Sequence, residues 1–373
     1  MPHLTKTPFM GIARVFILVF LCALAAALLS GCPAHDEGIT VEVKDKEEGA
    51  NRNRSAKSIL EGARQERTLN WYSSLKQEEA DAFIARFRAK YPFLTVTVRR
   101  GGTFNIERDV RKEITNGFIS ADVVHVLDPA FFITLANEGN LDQYNSPEAS
   151  AIPIGYRQEG QWTTARLVTL GMAYDSSRLR PASAPRTWRS LMDQRWQGKI
   201  GIKNAYTAGA AYAHFYFMRD RYGAYYWERL AELGTKVYET EPKLLAALRG
   251  GEIQVAAGVA LGRPAVNDSI RMIAPEDGLP VVVGPVAIIN GAQHPNSARV
   301  FVDYMLSREG QAAMRDLTGA YSPRTDVQPP KGLKPLNPKT LLQPPRGWPE
   351  YLEDQDALQR EFSKLFGEDD QSE

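Results

Sequence analysis

Hydrophobic and polar positions along this chain switch period again and again. Leu69-Asn70-Trp71-Tyr72 is a short apolar run that stops at Ser73-Ser74, and behind it Ala80, Phe83, Ile84 and Phe87 recur at i, i+3, i+4 and i+7. That spacing predicts a strand followed by a helix with one buried face. Ser74 with Gln77 three positions on is a capping-box pattern, which sets the predicted helix start at the serines. Val96 and Val98 alternate with polar neighbours between Thr95 and Arg100, as in a half-buried strand. Gly101-Gly102-Thr103 follows, then a helical segment from Ile106 to Asn116, then a third strand from Asp122 to Leu127 that stops at Asp128-Pro129.

The alternation returns further on. Leu167 to Tyr174, Lys199 to Lys203, Thr235 to Glu239, Ile253 to Gly258 and Val281 to Asn290 are strand-like. Helical stretches run to Tyr222 behind Asn204–Ala210, through Tyr225, Tyr226, Trp227 and Leu230, from Pro242 to Arg249, and along Ala298, Phe301, Val302 and Met305. Strands alternating with helices predict βαβ units and mainly parallel sheets. Two such sets joined by extended segments predict two lobes with a cleft. In open α/β sheets, the edge where strands run into helix N-termini is where ligands sit, anions above all.

The two ends read differently. Lys6 and Arg14 precede an apolar run from Val15 to Leu29 that ends Leu29-Ser30-Gly31-Cys32, the form of a signal peptide closing on a lipobox. Residues 1–32 are expected to be a lipoprotein signal with Cys32 as the lipidation site, and 33–56 a polar, aperiodic tether. Residues 326–373 are Pro-rich and then helical from Tyr351 to Phe366. With nine acids and two bases over 350–373, that end is expected to be solvated.

Composition narrows the function. Forty-five basic against forty-four acidic residues give no pull toward nucleic acid, and no basic run is interleaved with aromatics. The two cysteines are Cys22 in the signal core and Cys32, so the folded part contains neither disulfide nor thiol chemistry. The five histidines (His3, His35, His125, His214 and His294) have no metal-ligand spacing, and no nucleophile-elbow, Walker or zinc pattern is present. The sequence therefore reads as a non-enzyme without cofactor or metal.

Several segments in order carry a family resemblance: Trp71-Tyr72-Ser73-Ser74, Ala121-Asp122-Val123-Val124, Pro185-Arg186-Thr187-Trp188 with Trp196-Gln197-Gly198-Lys199-Ile200, Val283-Gly284-Pro285-Val286-Ala287, and His294-Pro295-Asn296-Ser297-Ala298 with Ser307-Arg308-Glu309-Gly310 behind it. Over about residues 57–325 the chain resembles the extracellular solute-binding proteins of bacterial ABC importers, within them the iron(III)-binding-protein-like branch, in lipoprotein form. The resemblance implies a type II periplasmic-binding-protein-like α/β fold. Each lobe would be a mainly parallel sheet flanked by helices, and the lobes would be joined by crossing strands near Val168–Gly171 and Val281–Gly284. Lobe 1 would comprise 57–168 plus 284–325, and lobe 2 residues 169–283.

Carried over residue by residue, the family's ligand contacts fall on Ser73, Ser74, Thr103, Thr207, Ala208 and Gly209. Gly102, Asp128, Tyr206 and Gly258 join them as loop or helix-start positions facing the same cleft, Thr169 as a residue of the first crossing, and Arg263 as a guanidinium suited to an anionic group. Ferric-binding members carry two adjacent tyrosines after the strand equivalent to Ile253–Gly258, and here that place reads Val259-Ala260-Leu261-Gly262-Arg263. Those side chains offer iron(III) no anionic oxygen. The expected ligand is a small organic anion, a phosphate ester, phosphonate or carboxylate, handed to a permease in the cytoplasmic membrane. The protein is expected to be a lipid-anchored monomer in the periplasm or on the outer face of that membrane. The alternatives are a ferric or polyamine binder, or the ligand-sensing subunit of a receptor kinase.

Overall fold

The computed structural model describes residues 55–206, 209–262, 269–342, 344 and 347–367. Helix α1 (residues 55–66) leads into β1 (Thr68–Ser73), α2 (Gln77–Lys90), β2 (Thr95–Arg100), α3 (Thr103–Asn116), β3 (Val123–His125) and α4 (Pro129–Asn137). After β4 (Arg157–Gln158) comes β5 (Trp162–Asp175), an almost wholly buried strand of 14 residues. Next are β6 (Ile200–Lys203), α5 (Gly209–Tyr222), α6 (Ala224–Glu232), β7 (Lys236–Tyr238), α7 (Glu241–Gly250), β8 (Val255–Ala260) and β9 (Ile270–Ile273). The described chain closes with β10 (Leu279–Ile288), α8 (Pro295–Leu306), α9 (Arg308–Thr318), β11 (Leu341–Leu342), α10 (Trp348–Glu353) and α11 (Gln355–Phe366).

The strands run in the order β2-β1-β3-β10-β5-β8-β6-β7. β1 pairs in parallel with β2 and β3, and β6 pairs in parallel with β7 and β8. The two parallel groups are the sheets of two lobes. β5 and β10 lie antiparallel between them, with Val281 opposite Thr169 and Val286 opposite Thr163. One residue beyond Thr169, β5 changes partner: Leu170 to Tyr174 pair with β8. A long strand that passes from one sheet to the other is where a two-lobe fold can hinge, and β5 does so bonded to β10 and then to β8 and β9.

Each lobe has its own core. Trp71 of β1 is fully buried against Phe83 of α2 and Phe301 of α8, ring centroids 5.8 and 5.1 Å away. In the second lobe Trp227 of α6 stacks on Phe215 of α5 at 4.8 Å, beside buried Trp188. Offset and edge-on aromatic pairs of this kind add to what area burial alone contributes.

Two expectations change. Helix α2 starts at Gln77 with Lys76 as N-cap residue, and Glu79 accepts the Lys76 N–H at 3.2 Å. The serines therefore do not cap it. Ser73 Oγ accepts from Leu75 N–H at 3.2 Å inside its own turn, and Ser74 is left to other partners. The C-terminal segment is not simply solvated either: Tyr351 and Phe362 are each 1% exposed. Its acidic residues cover one face of α10 and α11, while the aromatic face packs inward.

Candidate functional site

Because β2, β1 and β3 run parallel, the loops that leave them meet at one edge. There Ser74 follows β1, Gly101-Gly102-Thr103 follows β2 and Leu127 follows β3, and all line one wall of a cleft of 1430 Å³. Gly102 is the N-cap residue of α3 in extended geometry, and no side chain caps that helix. Its first-turn N–H groups and the positive end of its dipole thus face the cavity. The opposite wall is built the same way from the second sheet. Lys203 ends β6 and Asn204 and Tyr206 follow it, Glu239-Thr240-Glu241-Pro242 leads from β7 into α7, and Ala260 ends β8 with Gly262 behind it. Arg166, Val168 and Thr169 of the hinge strand β5 form the floor.

The lobes touch where α5 begins. A Cβ on Gly209 would lie 2.1 Å from the Leu127 carbonyl oxygen and 3.3 Å from Thr103 Cγ2. Only a residue without a side chain lets the start of α5 approach the first lobe so closely.

Charge in the cleft is uneven. Five cations line it, Lys76, Arg100, Arg108, Arg166 and Lys203, against three carboxylates, Glu78, Glu239 and Glu241, a difference of two. Arg166 is 3% exposed and its Nη2 donates to Ser74 Oγ at 3.3 Å. Arg100 Nε donates to the Leu75 carbonyl at 2.8 Å, which holds the guanidinium over the same loop. Lys203 Nζ donates to Glu241 Oε2 at 3.2 Å, and the Ala260 N–H reaches the same oxygen at 3.4 Å. In a partly desolvated cleft these charges act on an ion far more strongly than in water.

Of the residues expected here, Ser74, Gly102, Thr103, Thr169 and Tyr206 line the cleft, and Gly209 sits at the lobe contact beside it. Thr207, Ala208, Arg263 and Cys32 lie outside the described residues. Three others stand behind the wall. Ser73 is fully buried in its own turn. Asp128, 1% exposed, caps α4 by accepting the Ala130 N–H at 2.9 Å. Gly258 has φ +74° and packs on the His214 ring, where a Cβ would come within 2.4 Å of Nδ1. Burial raises the Asp128 carboxyl to about 6, and Glu107 of α3, facing it, is pushed well above the ordinary range by burial and then by Asp128 itself.

Arg166, Arg100 and Lys203 were not anticipated. Arg166 interrupts Ala165-Arg166-Leu167-Val168, and Lys203 ends Ile200-Gly201-Ile202. A cation inside an otherwise apolar buried strand costs enough that it marks a partner or a cavity, and that signal was available in the sequence. Arg100 shows no such mark. The Tyr225-Tyr226 pair lies on α6 away from the cleft, with Tyr225 63% exposed and Tyr226 fully buried. Among the described residues no group of three or more His, Cys, Asp or Glu could hold a metal ion.

Two α/β lobes joined by long crossing strands around one polar cleft are the type II periplasmic-binding-protein fold. The chain belongs to the bacterial extracellular solute-binding protein family, whose profile matches residues 113–345. A periplasmic protein of Salmonella typhimurium (strain LT2) named for 2-aminoethylphosphonate binding is 27% identical over 277 residues, 70% of this chain and 76% of that protein. Iron-bound HitA from Pseudomonas aeruginosa is similar in structure with a TM-score of 0.69 at 22% identity, over 79% of this chain and 99% of HitA. AfuA from Actinobacillus pleuropneumoniae, with fructose-6-phosphate bound, gives 0.68 at 21% identity, over 80% of this chain and 98% of AfuA. No helix among the described residues is long and apolar enough to cross a membrane.

Proposed function

We propose that the protein captures a small phosphonate or phosphate ester carrying an amine, of the 2-aminoethylphosphonate type, and delivers it to an ABC permease. One observation carries the reading: the uncapped start of α3 shares a cleft wall with the Ser74 and Thr103 hydroxyls and the Arg100 guanidinium, and Arg166 reaches Ser74 from the floor. Helix N–H groups, hydroxyls and guanidiniums are what a tetrahedral oxyanion needs. Across the cleft Glu239, Thr240 and Glu241 supply oxygen acceptors for an ammonium at the ligand's other end, with Glu241 shared with Lys203. The name of the Salmonella relative supports the same chemistry.

In this reading residues 57–168 with 284–325 move as lobe 1 and 169–283 as lobe 2. Ligand contacts from both sides favour the closed form by their differential affinity. The protein acts as a monomer without enzymatic activity. It is held by lipid on Cys32 at the outer face of the cytoplasmic membrane or in the periplasm, and residues 33–56 serve as a tether. A Cys32→Ser variant should then lose radiolabelled palmitate and be released from membranes; label retained on the variant removes the anchor.

Calorimetric titration tests the ligand. 2-Aminoethylphosphonate should bind at least about tenfold more tightly than ethylphosphonate, one charge-assisted contact being worth roughly 1.5–3 kcal/mol. Inorganic phosphate, spermidine and ferric citrate serve as comparisons. Strong binding confined to iron or to the polyamine overturns the reading.

A further inference from the structure

Beyond the cleft's two walls, the C-terminal segment runs back along the hinge and grips both lobes. Leu333, Leu336, Leu341 and Trp348 pack on Leu167, Val281, Val283 and Tyr321, and β11 pairs with the start of β10. Helix α10 then packs on α4, which follows β3 of the first lobe, while α11 packs on α5 and α6 of the second. The Tyr351 ring lies 4.8 Å from both Tyr212 and Tyr216. Its carbonyl accepts the Tyr212 hydroxyl at 3.0 Å, and its own hydroxyl donates to the Gly209 carbonyl at 3.5 Å. Phe362 meets Phe215 edge-on at 5.4 Å, and Arg219 Nε donates to both Glu361 oxygens at 2.9 and 3.2 Å.

This segment also reaches the cavity. Ser363 lines the cleft and its hydroxyl donates to Tyr206 OH at 3.0 Å. Gln359 Nε2 donates to the Ala205 carbonyl at 3.4 Å, on the same loop. The family match stops at residue 345, before Trp348.

We propose that α10 and α11 form a strap across the two lobes, and that Ser363 is a ligand-positioning residue acting through Tyr206. The strap rests on the hinge and on both lobes, so opening the cleft widely must break the packing of Tyr351 or Phe362. A cleft held near its closed form loses less freedom on binding and releases its solute more slowly. Ser363 fixes the Tyr206 phenol at the edge of the ligand space and so sets how large a solute the second wall admits. The role of Ser363 depends on the cleft being the solute site; the mechanical role of the strap does not.

Two measurements on the full chain test the two parts separately. Glu361→Arg sets a like charge against Arg219 at a partly exposed position and leaves the aromatic core intact. It should raise the ligand-free radius of gyration in small-angle scattering and speed dissociation of 2-aminoethylphosphonate about fivefold, the scale of about 1 kcal/mol. The swap Arg219→Glu/Glu361→Arg should restore both values. A chain ending at Leu342 should show the same changes more strongly. If that chain does not fold, Glu361→Arg with its swap decides. An unchanged radius and rate in Glu361→Arg overturn the strap. Ser363→Ala should relax size selection, raising affinity for a bulkier phosphonate such as 2-amino-3-phenylpropylphosphonate relative to 2-aminoethylphosphonate; an unchanged ratio removes the positioning role. If the full chain binds none of these solutes, the solute reading and the role of Ser363 fall together, while the scattering comparison still judges the strap.

Discussion

Arg166 Nη2 donates to Ser74 Oγ across 3.3 Å, so the hinge strand reaches the loop behind β1 through one guanidinium and one hydroxyl. The contact puts a buried cation at the floor of the cleft, in line with the wall where α3 begins. Arg166→Met keeps the apolar stem and removes the charge. Phosphonate affinity should fall roughly 100-fold, as for loss of a charge-assisted contact of about 3 kcal/mol. Arg166→Lys should recover only part of the affinity, because an ammonium cannot repeat the planar fork. Unchanged affinity in Arg166→Met would place the anion elsewhere.

On the facing wall Lys203 and Glu241 are 7% and 10% exposed and make an ion pair of 3.2 Å. Glu241→Ala removes one partner and leaves the other buried, an imbalance that costs about 3–5 kcal/mol in comparable pairs. Urea midpoints should drop accordingly, whereas Lys203→Met/Glu241→Leu, which removes both charges, should recover most of the stability. Both variants should lose the preference for an amine-bearing phosphonate over ethylphosphonate. Equal urea midpoints for the single and double variants would count against a buried pair.

Asp128 and Glu107 give the stability a pH slope of known sign. Burial raises both carboxyls above their ordinary values, Asp128 to about 6. The folded state therefore binds their protons more tightly than the unfolded state. The Asp128 contribution is complete below about pH 4 and is lost as pH rises through about 6, and that of Glu107 falls with rising pH in the same sense. Asp303, raised to about 6 by burial, slopes the same way, so the comparison is between wild type and Glu107→Gln. Melting temperatures of the two should coincide near pH 4, and the variant should lead by a few degrees at pH 8. Parallel curves from pH 4 to 8 would mean that the pair does not titrate in this range.

Much of the architecture was readable because period and punctuation are local. Phe83, Ile84 and Phe87 mark α2, Val96 and Val98 mark β2, and Pro242 stands in the first turn of α7. The site was half readable. Ser74, Gly102 and Thr103 follow strand ends, and strand ends are visible in sequence. Ser73 and Asp128 look the same at that level, yet one hydroxyl serves Leu75 N–H and one carboxylate serves Ala130 N–H. A side chain in a turn either bonds its own backbone or is presented to the cavity, and that choice depends on dihedral angles that sequence does not display. The tail was misjudged for another reason: its acids dominate the composition, while Tyr351 and Phe362, which decide where it packs, are two residues among many. Arg166 and Lys203 were the readable signals left unread.

Gly209 offers the most local test of how the lobes meet. It opens α5 and touches the Leu127 carbonyl and Thr103 of the other lobe, with 2.1 Å between a would-be Cβ and the carbonyl oxygen. Gly209→Ala fits the backbone of a helix start, and alanine is a better helix former by about 1 kcal/mol in a helix interior, so no intrinsic penalty is expected within lobe 2. The added methyl must instead push the start of α5 away from the loop after β3. Each lobe keeps its core, so the loss in melting temperature should be small. The cleft should widen, raising the radius of gyration of the ligand-free protein. Phosphonate affinity should fall about tenfold or more, since contacts from the two walls no longer reach one ligand together. Gly209→Val should extend both effects in the same order. A variant that melts far below wild type yet binds as tightly would make Gly209 a packing residue of α5 alone.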